Sequence, residues 1–437
     1  MKLYKIFSTI ILTALFAVLS CNQDPIFYGI STEPPPQEPL IKGAPTNIVM
    51  FEREYEDPLD SNLTIMVPIM YVASGRLHWY AKTEMGTGSS SAWNSGEYSI
   101  RQPAGRIISL AVTEQYMYAL TMPDHSANTI LRRIGHADTE WTRIDIEAGV
   151  KTSLQLIFAD PSSGWLFAGG RSGDGSSWPV FYISDNDNIL KQMEFPDTED
   201  FNKHYSSLLS GAISHNGISF LCFRGGGIIQ VNETDLSGLP PFASLAVLAD
   251  NSDIEEDQKS KNRQFMGMIK LADDMILAIE RGGGFLYGVN DGSFERVKYT
   301  GEESSILWIG TGNYATGALA LWEQNVDENP HKRLISGGQE GLYNTTSTSY
   351  TYGYFEFVLN ADGSLDTGTT RLPPNVTVDG LTDRYTATIG KHPINYFFQA
   401  PKTIDDNMTF FASTQTTGLW SYKDRPDSGG LQWNAEN

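Results

Sequence analysis

The chain has 437 residues, with 31 lysines and arginines against 52 aspartates and glutamates, for a formal net charge of −21. That balance excludes a nucleic-acid binder, which needs a basic footprint, and it excludes electrostatic docking to anionic lipid. A hydrophobic content of 40% with 20 tyrosines and 21 phenylalanines excludes a disordered chain, and aromatic and β-branched residues favour strands over helices.

Lys2 and Lys5 form a short basic head, Ile6 to Leu19 is an almost unbroken apolar run, and Ser20-Cys21 closes it. A basic head, an apolar stretch of ~7–15 residues and a small residue at the cut describe a secretory signal peptide. Val18-Leu19-Ser20-Cys21 resembles the lipobox of bacterial lipoproteins, although Leu19 stands where a smaller residue is commoner. The resemblance implies a signal peptide over 1–20, acyl chains on Cys21 that hold the protein to a membrane, and a place in the bacterial cell envelope outside the cytoplasm. An ordinary signal peptide with a chance cysteine is the alternative. Residues 21–45 follow, with Pro25, Pro34-Pro35-Pro36 and Pro39. Proline at this density gives a semi-rigid tether of ~3 Å per residue.

The folded body is expected over 46–437, beginning with a strand at Ile48 to Phe51. From there a unit recurs: an apolar strand, a polar turn, an aromatic-rich strand, a glycine-rich break and a further strand. Ser74 to Tyr80 and Glu114 to Leu120 carry its strand–turn–strand part. Ser163 to Gly170 leads to Val180 to Ser184. The clearest copies are His215-Asn216-Gly217, Ile218 to Phe223, Arg224 to Gly227, Ile228 to Asn232, and Asp273-Asp274, Met275 to Glu280, Arg281 to Gly284, Phe285 to Asn290. Lys332 to Gly338 leads to Gly341 to Tyr343, and Met408 to Ser413 leads to Gly418 to Tyr422. Tyr350 to Leu359 reads as an extra strand, with Asn360 to Gly363 as its turn. The acidic run Asp253 to Asp257 reads as a solvated loop.

These are seven units whose turns recur every ~40–60 residues apart from a longer last gap, the period of propeller blades. The expected fold is all-β, a single seven-bladed β-propeller behind a signal peptide and tether. Radial stacking buries blade faces that one sheet cannot cover alone. Pairing of Ile48 to Phe51 with the last blade is expected to close the ring. Gly418 to Asp424 followed by Gly430-Leu431-Gln432-Trp433 resembles the blade ending of Asp-box propellers, Ser-x-Asp-x-Gly-x-Thr-Trp, with an insertion before the glycine. Asn290 to Phe294 and Ser184 to Asn188 are poorer echoes. The whole layout is similar to propeller lipoproteins of spirochaetes.

No motif states a chemistry. With Cys21 lipidated, Cys222 is the remaining thiol, and within Ile218 to Phe223 it reads as a buried apolar residue. The seven histidines show no ligand spacing, so no metal and no cofactor is expected. Ser162-Ser163 and Ser304-Ser305 read as turn serines. The Asp-box resemblance raises sialidases, but their arginine–proline opening is missing at Gly105-Arg106-Ile107-Ile108. An inverting glycosidase needs only two carboxylates ~6.5–9.5 Å apart, which 52 acidic residues supply without selecting any. Trp165 and Trp420 lie in strand patterns and read as core. Trp93 and Trp178 lie in polar loops and are the expected ligand-binding contacts.

The leading expectation is therefore a non-enzymatic, membrane-anchored propeller that binds or scaffolds an unnamed protein or glycan. A periplasmic envelope-assembly component and a glycoside hydrolase are the alternatives.

Overall fold

The structure, a computed structural model, describes residues 41–74, 78–83, 93, 100–123, 128–195, 207–224, 227–233, 243–245, 247–249, 265–272, 275–280, 283–288, 293–297, 318–326, 329–337, 354–366, 394–402, 404–405, 408–425 and 430–436. The expected signal peptide, Cys21, the acidic run at 253–257, Arg281 and Ser304-Ser305 lie outside them. Every element described is a strand.

The strands form successive antiparallel meanders. The first sheet is β1 (Val49–Asp57), β2 (Asp60–Ser74) and β3 (His78–Lys82). The second is β4 (Arg106–Val112), β5 (Tyr116–Met122), β6 (Ile130–Gly135) and β7 (Thr142–Ile146); the third is β8 (Thr152–Ala159), β9 (Trp165–Ser172), β10 (Val180–Ser184) and β11 (Ile189–Gln192). Parallel pairing of β7 with β11 joins these two at their outer edges. The fourth is β12 (Leu209–His215), β13 (Ile218–Phe223), β14 (Ile228–Asn232) and β15 (Ala243–Leu245). The fifth is β16 (Val247–Ala249), β17 (Phe265–Ala272), β18 (Met275–Glu280), β19 (Gly283–Gly288) and β20 (Ser293–Arg296), with β16 parallel to β20. The sixth is β21 (Ala318–Val326), β22 (Asn329–Gly337) and β23 (Tyr354–Val358). The last is β24 (Ile394–Gln399), β25 (Phe410–Thr414), β26 (Leu419–Arg425) and β27 (Gly430–Ala435).

The core explains why the second strands read as unbroken apolar runs. Successive side chains of a strand point to opposite faces, and here both faces are covered. On β13, Leu221 and Phe223 pack with Phe167 and Tyr182 of the third sheet, while Phe220 and Cys222 pack with Phe265 and Ile276 of the fifth. On β25, Phe410 packs with Trp322 of the sixth sheet and Phe411 with Met70, Val72 and Tyr80 of the first. The last sheet thus buries its outer face against the first. Each fully buried aromatic of this kind contributes about 1.5–3 kcal/mol.

The first strands β4, β8, β12, β17 and β24 each carry a register shift within their first three residues, at Ile107/Ser109, Leu154/Leu156, Leu209/Gly211, Phe265/Gly267 and Ile394/Tyr396. An extra residue there raises the local twist and bends the strand. Where β12 meets β17, a Cβ on Gly211 would stand 3.3 Å from the Cα of Gly267. A side chain there would crowd the facing backbone, and glycine leaves room for the close approach.

Two expectations are corrected. β1 pairs with β2, and the chain reaches the last sheet through earlier residues. Leu419 N–H donates to Ile41 O at 2.9 Å, Gly418 N–H to Gly43 O at 3.0 Å, and Ser413 Oγ to Pro45 O at 2.7 Å. Thr46 N–H donates to Ala73 O at 2.8 Å, which ties the same segment to β2. Ile41 is wholly buried among Phe411 and Leu419. The partner of Pro45, Ser413, lies 368 residues away, so no local signal marks this segment. The Asp-box reading also fails at the last blade. Ser421 and Asp424 lie inside β26, and Ser421 Oγ donates to Glu436 rather than shaping a turn.

Candidate functional site

Antiparallel meanders place the turns after their first and third strands at one edge and the turn after the second strand at the other. At the first of these edges the third, fourth and fifth sheets enclose a cleft of about 320 Å³, lined by Ser162, Ser163, Ser214, His215, Asn216, Gly217, Glu233 and Lys270.

Its floor is the β12–β13 turn. Asn216 (φ 50°) and Gly217 (φ 76°) both occupy the left-handed region, the geometry of a tight two-residue hairpin, which asparagine and glycine tolerate. Asn216 Nδ2 lies 2.9 Å from His215 Nε2, which fixes the amide against the ring. Gly217 O accepts from Glu233 N–H at 2.9 Å, which sets Glu233 beside the turn.

Two charged groups dominate the walls. Lys270, late in β17, puts Nζ 2.8 Å from Asp160 Oδ2. Asp160 Oδ1 accepts from Ser162 N–H at 3.0 Å and Ser162 Oγ at 2.6 Å, and Oδ2 accepts from Ser214 N–H at 3.4 Å. Burial pushes the Asp160 pKa up, but Lys270 and the Ser162 bonds outweigh it and hold the carboxyl below its ordinary value. Glu233 Oε1 accepts from Ser219 Oγ at 2.7 Å. Ser219 has one proton and gives it to Glu233, so at the 3.0 Å contact with Ser214 it must accept from the Ser214 hydroxyl. The cleft thus offers one neutralised pair, one carboxylate held by a hydroxyl relay, and serine, histidine and amide groups in fixed positions.

A second polar cluster lies at the same edge. Asp185, after β10, accepts from Thr113 Oγ1 at 2.6 Å, Gln115 N–H at 3.2 Å and Tyr118 Oη at 3.2 Å. Burial raises its pKa against these bonds. Arg133 donates to Asp187 O at 2.6 Å and lies 4.1 Å from the Tyr116 ring centroid. The Ser184 to Asn188 echo is accordingly a bracing turn between the second and third sheets.

The expected ligand contacts are not brought together. Trp93 is corrected: it is 2% exposed, packed edge-on against Phe411 at 5.9 Å, with Nε1 donating to Glu436 Oε2 at 2.8 Å. The polar residues that flank Trp93 in sequence gave no sign of the distant aromatic surface it covers. Trp178 is half-buried in the β9–β10 connection, at the edge opposite the cleft, with the Arg171 guanidinium 5.5 Å from its ring centroid. That connection is organised by Asp174, which accepts from Ser172 Oγ at 2.6 Å and from Ser176 N–H at 3.0 Å, bonds that hold its carboxyl down at about 2. Cys222 is wholly buried, and its thiol is pushed up to about 12.

Sequence reasoning missed Asp160, Glu233 and Lys270 and took Ser162-Ser163 for bland turn serines. The available signal was positional: His215-Asn216-Gly217 and Ser162-Ser163 occupy the same turn of successive units, and equivalent turns share an edge.

No protein-family model matches the chain, and no curated protein matches it in sequence. It is similar in structure to the extracellular domain of a hybrid two-component system from B. thetaiotaomicron, at TM-score 0.48 and 9% identity over 89% of this chain, which spans 40% of that domain's length. It is also similar to YCF48 bound to D1 peptide (TM-score 0.46, 12% identity, 90% of this chain and 96% of that one). A third likeness is to the GH74 xyloglucanase from Xanthomonas campestris (TM-score 0.49, 11% identity, 92% of this chain and 55% of that one). At these scores and identities none carries an activity, ligand or partner over to this chain.

Proposed function

We propose that the chain is a binding module: a seven-bladed propeller, held to a membrane outside the cytoplasm by lipid on Cys21, that engages a partner at the cleft edge without turnover. The observation that carries the binding reading is the cleft itself. Three successive sheets each contribute a turn or strand end to it, and its polar groups are already oriented by Asp160, Ser219 and Asn216. Preorganised polar groups in a concave site are what recognition requires, since little ordering remains to oppose association. Support for seven blades comes from the meanders among the described residues, seven when the eight-stranded sheet is divided at the β7–β11 pairing, and from the packing of the last onto the first. Lipidation rests on the Val18-Leu19-Ser20-Cys21 sequence and display at the envelope on the signal peptide ahead of it.

The test is capture from native membranes with the full chain in detergent, wild type beside Ser162→Trp. Ser162 is exposed at the cleft mouth, so an indole there fills the site without disturbing the core. A partner retained by wild type and lost by Ser162→Trp is expected. Identical capture by both chains contradicts the reading, as does steady hydrolysis of any glycan or peptide by the purified protein.

A further inference from the structure

Resting on that reading of the cleft, we propose that the group it receives is a cation, the lysine or arginine side chain of a basic peptide segment. The lining holds one cation, Lys270, and one carboxylate, Glu233, and a second carboxylate, Asp160, pairs with the cation from outside the lining. Lys270 is the cation of the site, and its charge is matched by Asp160 at 2.8 Å. Glu233 is different. Its Oε1 takes a proton from Ser219, a neutral hydroxyl that is itself wholly buried, and its second oxygen takes no hydrogen bond from another described residue. The relay from Ser214 through Ser219 orients the carboxylate but does not neutralise it. A carboxylate fixed at a cleft wall, with an acceptor oxygen to spare, gains most from a charged donor, because a charge-assisted hydrogen bond is roughly twice as strong as a neutral one.

The surroundings agree with this polarity. Ser163, Ser214 and His215 are buried to 6%, 7% and 9% exposure, so the ligand leaves much of its hydration shell behind on entry. A cation tolerates that only beside an opposite charge, which Glu233 supplies. The site also sits on a chain of net charge −21, whose field draws basic segments towards it and repels acidic ones. A neutral sugar would satisfy the serines and the Asn216 amide but would draw no more from Glu233 than from a glutamine.

The full chain in detergent micelles, titrated at fixed salt with capped Gly-Arg-Gly, Gly-Lys-Gly and Gly-citrulline-Gly, tests the assignment. Citrulline keeps the shape of arginine and lacks its charge. Saturable binding of the first two is expected, at least tenfold tighter than that of the citrulline peptide. Glu233→Gln keeps the acceptor for Ser219 and should erase the difference, whereas Asp174→Asn, at the opposite edge, should leave it intact. Equal affinities for arginine and citrulline peptides overturn the assignment, as does discrimination that survives Glu233→Gln. So does tighter binding of a neutral oligosaccharide at the same place. If those ligands are still lost in Ser162→Trp, the cleft remains a binding site and only the cationic class falls. Absence of binding by every tripeptide overturns the cationic class too, and partner capture then decides the broader reading separately.

Discussion

Trp93 and Glu436, 343 residues apart, meet through a 2.8 Å hydrogen bond from the indole Nε1 to Oε2. The same oxygen lies 3.5 Å from Lys82 Nζ, and Ser421 Oγ donates to Oε1. Lys82 ends β3 of the first sheet, and Glu436 follows β27 of the last. The two side chains are 4% and 1% exposed, so a buried ion pair joins the beginning of the fold to its end. Glu436→Gln removes the carboxylate from this buried pair and should lower the unfolding free energy by about 3–5 kcal/mol. Adding Lys82→Met should recover part of that loss. Denaturant melts of the four chains measure both, and strictly additive effects would show that the pair is not coupled.

The segment before the first strand is a second joint. Ile41 is fully buried against Phe411 and Leu419 while its carbonyl accepts from Leu419 N–H. Ile41→Ala should cost about 2–5 kcal/mol as a core truncation and lower the melting of the whole body in one step. A separate early transition confined to one end would contradict a shared joint.

Cys222 tests the core between the fourth and fifth sheets. Its thiol is wholly buried, and burial raises it to about 12, so almost no thiolate exists near neutral pH. Native protein should resist alkylation at pH 8, and full modification of Cys222 should appear only in denaturant. Rapid labelling of the native chain at Cys222 would show that this core is open.

Asp160 gives the cleft a pH signature. Burial opposes its ionisation, but Lys270 and Ser162 hold its carboxyl below the ordinary 3.8. A carboxylate depressed in the folded state stabilises the fold above its unfolded value and loses that contribution as pH falls through the folded one. Asp160→Asn should therefore melt below wild type at pH 7, with the gap closing as pH drops below 3.8. A gap that stays constant through this range removes Asp160 as its source.

Much of the fold was legible because its signals are local. Val180 to Ser184, Ile218 to Phe223 and Met275 to Glu280 stand as expected, each an apolar run bounded by turn residues. What escaped depends on residues distant in sequence. The register shifts near Ser109, Leu156 and Gly211 exist only relative to a partner strand. Trp93 is core because Phe411 and Glu436 come to meet it, and Ile41 is core because the last sheet arrives beside the first. The cleft was least visible of all. Asp160, Glu233 and Lys270 belong to three sheets, and neither spacing nor composition relates them until their turns share an edge.

The central claim is that a partner is engaged at the cleft edge and not at the edge that carries Trp178. In living cells, a photo-crosslinking p-benzoylphenylalanine placed at Pro161, beside the cleft but outside its lining, or at Ser176 reads the two edges directly, since both residues are exposed. We predict one discrete adduct from position 161 and none from position 176. Adducts from 176 alone, equal adducts from both, or none from either would contradict the account.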